Sequence, residues 1–89
     1  MKTTFRLSIQ PGYETAAMLA LLDFVDMIRG VAGNLSHIIE QNEAQPGILL
    51  IHEDWVDMQS CYAFMNSAWT MQFMQMVGPY LISMEQIEN

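Results

Sequence analysis

Short hydrophobic segments in the order strand, helix, strand, strand, helix, strand predict an α+β domain, a four-stranded antiparallel sheet carrying its helices on one face. Two periods and their punctuation support this. Apolar residues alternate at a period of two near the start of the chain, recur at helical spacing in the next segment, and are separated by Pro-Gly, Gly and Asn/Glu/Gln-rich breaks.

From Thr3 to Ile9, Phe5, Leu7 and Ile9 alternate with Thr4, Arg6 and Ser8, as in a half-buried strand that Pro11-Gly12 ends. A helix is expected from about Tyr13 to Arg29. Ala17, Met18, Leu21, Phe24, Val25 and Ile28 share one of its faces, and Glu14, Asp23, Asp26 and Arg29 the other. Glu14 and Arg29 sit at the ends that the helix dipole favours for their charges. Gly30 and Gly33 close the helix, Asn34 to Gln41 reads as a second strand, and Asn42 to Gly47 as a turn. Gly47 to Trp55 is a third strand, whose continuous Ile48-Leu49-Leu50-Ile51 run suits a central position. Asp57 is placed to cap a helix that runs to about Ser67, with Cys61, Phe64, Met65 and Ala68 inward. A further helical segment carries Met71, Met74 and Val77 until Gly78-Pro79 breaks it, and Ile82 to Glu88 is the last strand. No repeat or linker divides the chain, so residues 1–89 read as one domain of split ferredoxin-like βαββαβ order.

Composition limits what such a domain does. The 89 residues are 52% hydrophobic and 15% charged, whereas an average globular chain is roughly 25% charged. Such a small domain cannot hide that much apolar surface alone, and the sheet face opposite the helices is bare, so a face-to-face homodimer is expected. With a net charge of -7 and Lys2, Arg6 and Arg29 as its three cations, the chain is ill suited to the phosphates of nucleic acid or to an anionic membrane. One cysteine, Cys61, permits no internal disulfide. The longest apolar run, Ala16 to Leu22, is far short of the roughly 20 residues that span a bilayer. A soluble, cytoplasmic protein is expected.

Pro11-Gly12 after the first strand, Gly33 before the second, and Glu53-x-Trp55 running into Asp57-Met58-Gln59-Ser60-Cys61 together resemble the antibiotic biosynthesis monooxygenase domain of the dimeric α+β barrel superfamily. The resemblance covers nearly the whole chain. It implies a homodimer of eight strands with helices outside, a small apolar cavity between each sheet and its own helices, and chemistry without metal or cofactor. The activity implied is a cofactor-independent monooxygenation of a small apolar aromatic or polyketide-like substrate. Several polar positions of the pattern are apolar here. Phe64 stands three residues before Ser67, where members often carry His, and Ile51 and Cys61 replace the Asn and Tyr that accompany the strand-three Trp of the quinone-forming branch. Phe5, and Met74 or Met76, replace the Asn and His of the haem-degrading branch, which disfavours haem degradation. The alternative is therefore a binding module that kept the cavity and lost its catalytic groups.

On this reading Phe5, Leu7, Leu49, Ile51, Trp55, Phe64 and Met65 converge between sheet and helices, with Cys61 on the inward helix face. Asn66 and Trp69, at i, i+3 spacing, flank the cavity mouth. Trp55 either borders the cavity, its indole N–H free to orient a substrate oxygen, or anchors the core. Glu53 is turned to the cavity as a candidate base or as a structural partner. The two histidines depend on register. If the turn is centred between Ala44 and Gln45, His37 lies opposite His52, and both share the barrel face with Asp54, a two-His, one-carboxylate set that a cross-strand pair accounts for without a metal. Arg6 on that face is expected to pair with an acid across the dimer. The nine methionines, five of them between Met58 and Met76, suit a soft wall around an apolar ligand better than copper(I) coordination.

Overall fold

The computed structural model describes residues 1–88. Its elements are β1 (Lys2–Ile9), α1 (Glu14–Met27), β2 (Asn34–Asn42), β3 (Gln45–Trp55), α2 (Met58–Met65), α3 (Ala68–Met76), a 3-10 turn (Gly78–Tyr80) and β4 (Leu81–Glu88). The strands form one antiparallel sheet in the order β2-β3-β1-β4, so the two strands nearest in space to β1 are far from it in sequence. This is the ferredoxin-like arrangement, with all helices on one face.

The core lies between the sheet and α1. Leu7, Ile9, Leu49 and Ile51 rise from the two central strands and meet Ala17, Leu21, Phe24 and Ile28 of α1 together with Phe73 and Val77. Strand parity and the helical stripe thus interlock as the hydrophobic pattern requires. The Glu14 carboxylate accepts from the Gly12 N–H at 3.0 Å, closing the turn that enters α1. At the start of β2, Gly33 has φ +81°, and a Cβ there would stand 2.3 Å from Cβ of Ser60. The glycine lets β2 pass against the first turn of α2, where its carbonyl accepts from the Val56 N–H.

The second half of the helical layer differs from the expected pattern. The helix from Asp57 stops at Met65, where Asn66 is the C-cap, and a new helix starts from Ser67, whose Oγ accepts from the Trp69 N–H at 3.2 Å. This restart resets the phase. Trp69, Phe73, Met76 and Val77 turn to the core, while Met71 and Met74 are exposed.

The hairpin corrects the assumed register. Asn42 pairs with Gln45, leaving a tight Glu43-Ala44 connection in which the Asn42 side chain accepts from the Ala44 N–H. The register shifts between Gln41 and Asn42, so that Gln41 pairs with Leu49, Ile38 with His52 and His37 with Glu53. Pro46 and Gly47 lie inside that irregularity, where a residue without an N–H is tolerated. Relative to the expected pairing of His37 with His52 this is a slip of one residue, and a slip of one moves a side chain to the other face. His37 therefore faces the helices. His52 stays on the bare face, its Nε2 2.7 Å from Glu40 Oε1 and its Nδ1 3.1 Å from Thr4 Oγ1, so the set of His37, His52 and Asp54 is not assembled. Arg6, also on the bare face, pairs with Glu85 of β4 in its own chain. No helix among the described residues is long and apolar enough to cross a membrane.

Candidate functional site

Where β3 and the inner half of β2 pass under α2 and α3, the sheet and helices part around a cavity of about 130 Å³. Phe5 and Ile51 form its floor, Leu21, Phe24 and Val25 of α1 one wall, Phe64, Met65, Trp69, Thr70 and Phe73 the roof, and Met84 of β4 an edge. Phe24 meets Trp69 and Phe73 edge-on, with ring centroids 6.3 and 5.3 Å apart. Apart from Thr70, whose hydroxyl donates to the Met65 carbonyl at 2.7 Å, the polar side chains of this apolar lining are His37 and Glu53, which stand together.

Both are buried. Glu53 is 8% exposed, and the His37 side chain 4%. The Glu53 Oε1 accepts from the Trp55 indole N–H at 2.9 Å, since residues two apart on a strand share a face. The other carboxylate oxygen lies 3.3 Å from His37 Nε2. That approach is within ion-pair reach but lacks hydrogen-bond alignment, and Nε2 has no hydrogen-bond partner. On the far side of the ring, Nδ1 is 2.7 Å from the Asn34 side-chain nitrogen. Rings complete the cage, Trp55 lying edge-on to His37 at 5.7 Å and tilted to Phe64 at 5.1 Å.

Phe5, Ile51, Glu53, Phe64, Met65 and Trp69 thus meet around one space. Trp55 is fully buried behind Glu53 and His37, and its N–H is engaged by the carboxylate instead of being free for a ligand. Leu7 and Leu49 lie in the core beneath α1. Cys61 is buried with Sγ 3.8 Å from Met65 Sδ; burial first, and the charge of Glu53 second, push its thiol up from the ordinary range, which favours the protonated form. Asn66 is exposed, its amide donating to the Tyr62 carbonyl at 2.8 Å, so it serves the end of α2 rather than the cavity mouth. Of the methionines, Met65 and Met84 line the cavity although they are themselves exposed on its outer side, and Met58, Met71 and Met74 are exposed away from it. His37 is the group that strand-by-strand reading put on the wrong face. No group of three or more His, Cys, Asp or Glu among the described residues is arranged to hold a metal ion.

The sequence profile of the antibiotic biosynthesis monooxygenase family matches residues 2–75. The chain belongs to that family. The match ends short of β4, yet solved structures extend the likeness over the whole domain. The Nitrosomonas europaea protein named "Putative antibiotic biosynthesis monooxygenase" superposes with a TM-score of 0.87 at 15% identity, over 99% of this chain and 86% of its own. A Deinococcus radiodurans protein with the same name gives 0.86 at 16% identity, covering 99% and 88%. A Shewanella oneidensis protein gives 0.86 at 15% identity, covering 99% and 86%. At such identities the likeness speaks for the fold. No curated protein matches the chain in sequence.

Proposed function

We propose that this member of the antibiotic biosynthesis monooxygenase family is a cofactor-independent monooxygenase acting on a small, flat, apolar aromatic or polyketide-like substrate. The observation that supports it best is the buried Glu53 carboxylate in an otherwise apolar cavity, held by the Trp55 N–H and bordered by His37. Aromatic walls suit a flat ring system, and with so few donors the cavity disfavours sugars and phosphates, whose unpaired groups cost roughly 1–3 kcal/mol each on desolvation. The chemistry fitting this site begins with Glu53 taking a proton from a methylene activated by neighbouring rings and a carbonyl. The carbanion then reduces dioxygen and forms a C–O bond. Loss of water from the resulting hydroperoxide leaves a ketone, so one oxygen atom enters the product, the other leaves as water, and no external reductant is required.

Trp55 is here a positioning residue that aims Glu53. A second copy is proposed to cover the bare sheet face, where Ile38 is 59% exposed. A second reading, binding without turnover, draws on the apolar Ile51 and Phe64 in the lining. Oxygen uptake with a panel of hydroxylated anthrones and quinols separates the two. Catalysis predicts uptake that Glu53→Gln abolishes while ligand binding persists. Binding across the panel without uptake leaves the second reading.

A further inference from the structure

Most of the methionine-rich run lies outside the cavity. Met58, Tyr62 and Met65 recur at i, i+4 and i+7 on α2, Met71 and Met74 at i, i+3 on α3, and all five are exposed. Met71, at 68%, is the most exposed large apolar side chain among the described residues. These helices are therefore apolar on the side away from the sheet as well as on the side against it, where an ordinary solvated helix carries charge. None of the chain's charged residues lies between Met58 and Met84. The polar side chains at the junction of the two helices are already spent on helix-end carbonyls. Asn66 Nδ2 donates to the carbonyl of Tyr62 at 2.8 Å, Ser67 Oγ to that of Phe64 at 2.6 Å and Thr70 Oγ1 to that of Met65 at 2.7 Å. A partner can cover this face without stranding them.

We propose that the outer face of α2 and α3 is a docking surface for a cationic amphipathic helix of a partner protein. Charge decides the sign of the occupant. The chain carries -7, and Asp57 at the head of α2 is exposed, as are Asp23 and Asp26 on α1, which packs against α3. The one cation of the helical layer, Arg29, is held by Asp26 at 2.9 Å. Lysines or arginines beside the apolar stripe of an incoming helix meet acids there, whereas a second acidic copy or an anionic membrane is repelled. The backbone decides the form of the occupant. Helices offer no strand edge to an extended segment, so side chains alone make the contact, and the ridges of two helices receive the ridge of a third. Methionine suits this use, because an unbranched, polarizable side chain adapts to whatever is laid on it. The proposal is independent of the chemistry in the cavity.

Three peptides of about 15 residues test it: one with leucine and lysine at helical spacing, the same peptide with glutamate for every lysine, and a scramble of the first that breaks the spacing. Each is titrated into the intact chain and followed by amide chemical shifts. The leucine-lysine helix is expected to bind and to move the signals of residues 58–76 rather than those of the sheet, and the other two to bind at least about tenfold more weakly. The double variant Met71→Gln, Met74→Gln changes no charge and no buried side chain, and should weaken the lysine peptide about tenfold or more. Met27→Gln, a similarly exposed change on α1, should leave its affinity unaltered. Absence of binding, equal binding of the glutamate peptide or the scramble, movement confined to the sheet, or full affinity in the folded double variant would overturn the proposal. So would self-association of the intact chain that the double variant abolishes, which assigns the face to a second copy. Binding to phosphatidylcholine vesicles that the double variant abolishes would overturn it in favour of lipid.

Discussion

Glu53 is the residue on which the site turns, because a carboxylate 8% exposed between rings is tolerable only while its oxygens are partnered. The Trp55 N–H is that partner at 2.9 Å. Removing the N–H but keeping most of the ring, in Trp55→Phe, should cost about 1–3 kcal/mol of stability through the orphaned oxygen. Trp55→Ala, which also opens a cavity where the ring is fully buried, should cost about 3–5 kcal/mol. Urea denaturation of both variants checks this, and equal stability of Trp55→Phe and the intact chain would mean that the bond contributes nothing. Gly33 makes a second prediction at this scale. A methyl group there meets Ser60 Cβ on a backbone already at φ +81°, so Gly33→Ala should destabilise by about 1–3 kcal/mol. Pairing it with Ser60→Gly should recover the steric part and leave the conformational part, visible as coupling in a double-mutant cycle.

At the scale of elements, the ends of the helices decide more than their faces. Asp57 caps α2 by accepting from the Ser60 N–H at 2.7 Å, and that bond, with the Ser60 hydroxyl second, holds its carboxyl below the usual carboxylate range. A pKa depressed on folding means that the folded state favours the charged form. The stabilisation is therefore present above the unfolded value, near pH 4, and is lost as pH falls through the folded value. Asp57→Asn, a cap without a titrating group, should flatten that part of the acid limb in a thermal melting series, whereas Asp57→Ala should lower Tm at neutral pH. Asp57 was legible because a cap is a local signal. So were the cavity-facing parities of Phe5, Ile51 and Glu53, which follow from alternation within one strand. Two features were not. The phase of α3 depends on where Ser67 restarts the helix, so Phe73 and Trp69 take the core places that an unbroken period would give to Met71 and Met74. The face of His37 depends on how β2 is paired, and the irregularity around Pro46 and Gly47, not any pattern in β2 itself, sets that pairing.

For the whole molecule the question is what the sheet does with its uncovered side. The helices cover one face, while the other carries Arg6, Ile38, Leu50 and His52. Its polar members are already partnered within the chain, Arg6 with Glu85 and His52 with Glu40 and Thr4. They can enter an interface with these contacts already made, and this lowers the desolvation cost of covering them. Ile38 is 59% exposed and gains from burial. A face that is apolar between satisfied polar contacts is one that a second copy of itself can cover. Sedimentation in dilute buffer is therefore expected to give twice the 10.2 kDa chain mass. Ile38→Lys should weaken association, by placing a charge on the face to be covered, and should barely alter the cavity, since the side chain points away from it. Arg6→Ala should cost only about 0–1 kcal/mol in a separated monomer, as an exposed pair does, and more in the dimer, where Glu85 would be buried without its cation. A folded chain of single mass at micromolar concentration would rule out the second copy and leave the exposed Ile38 without a role.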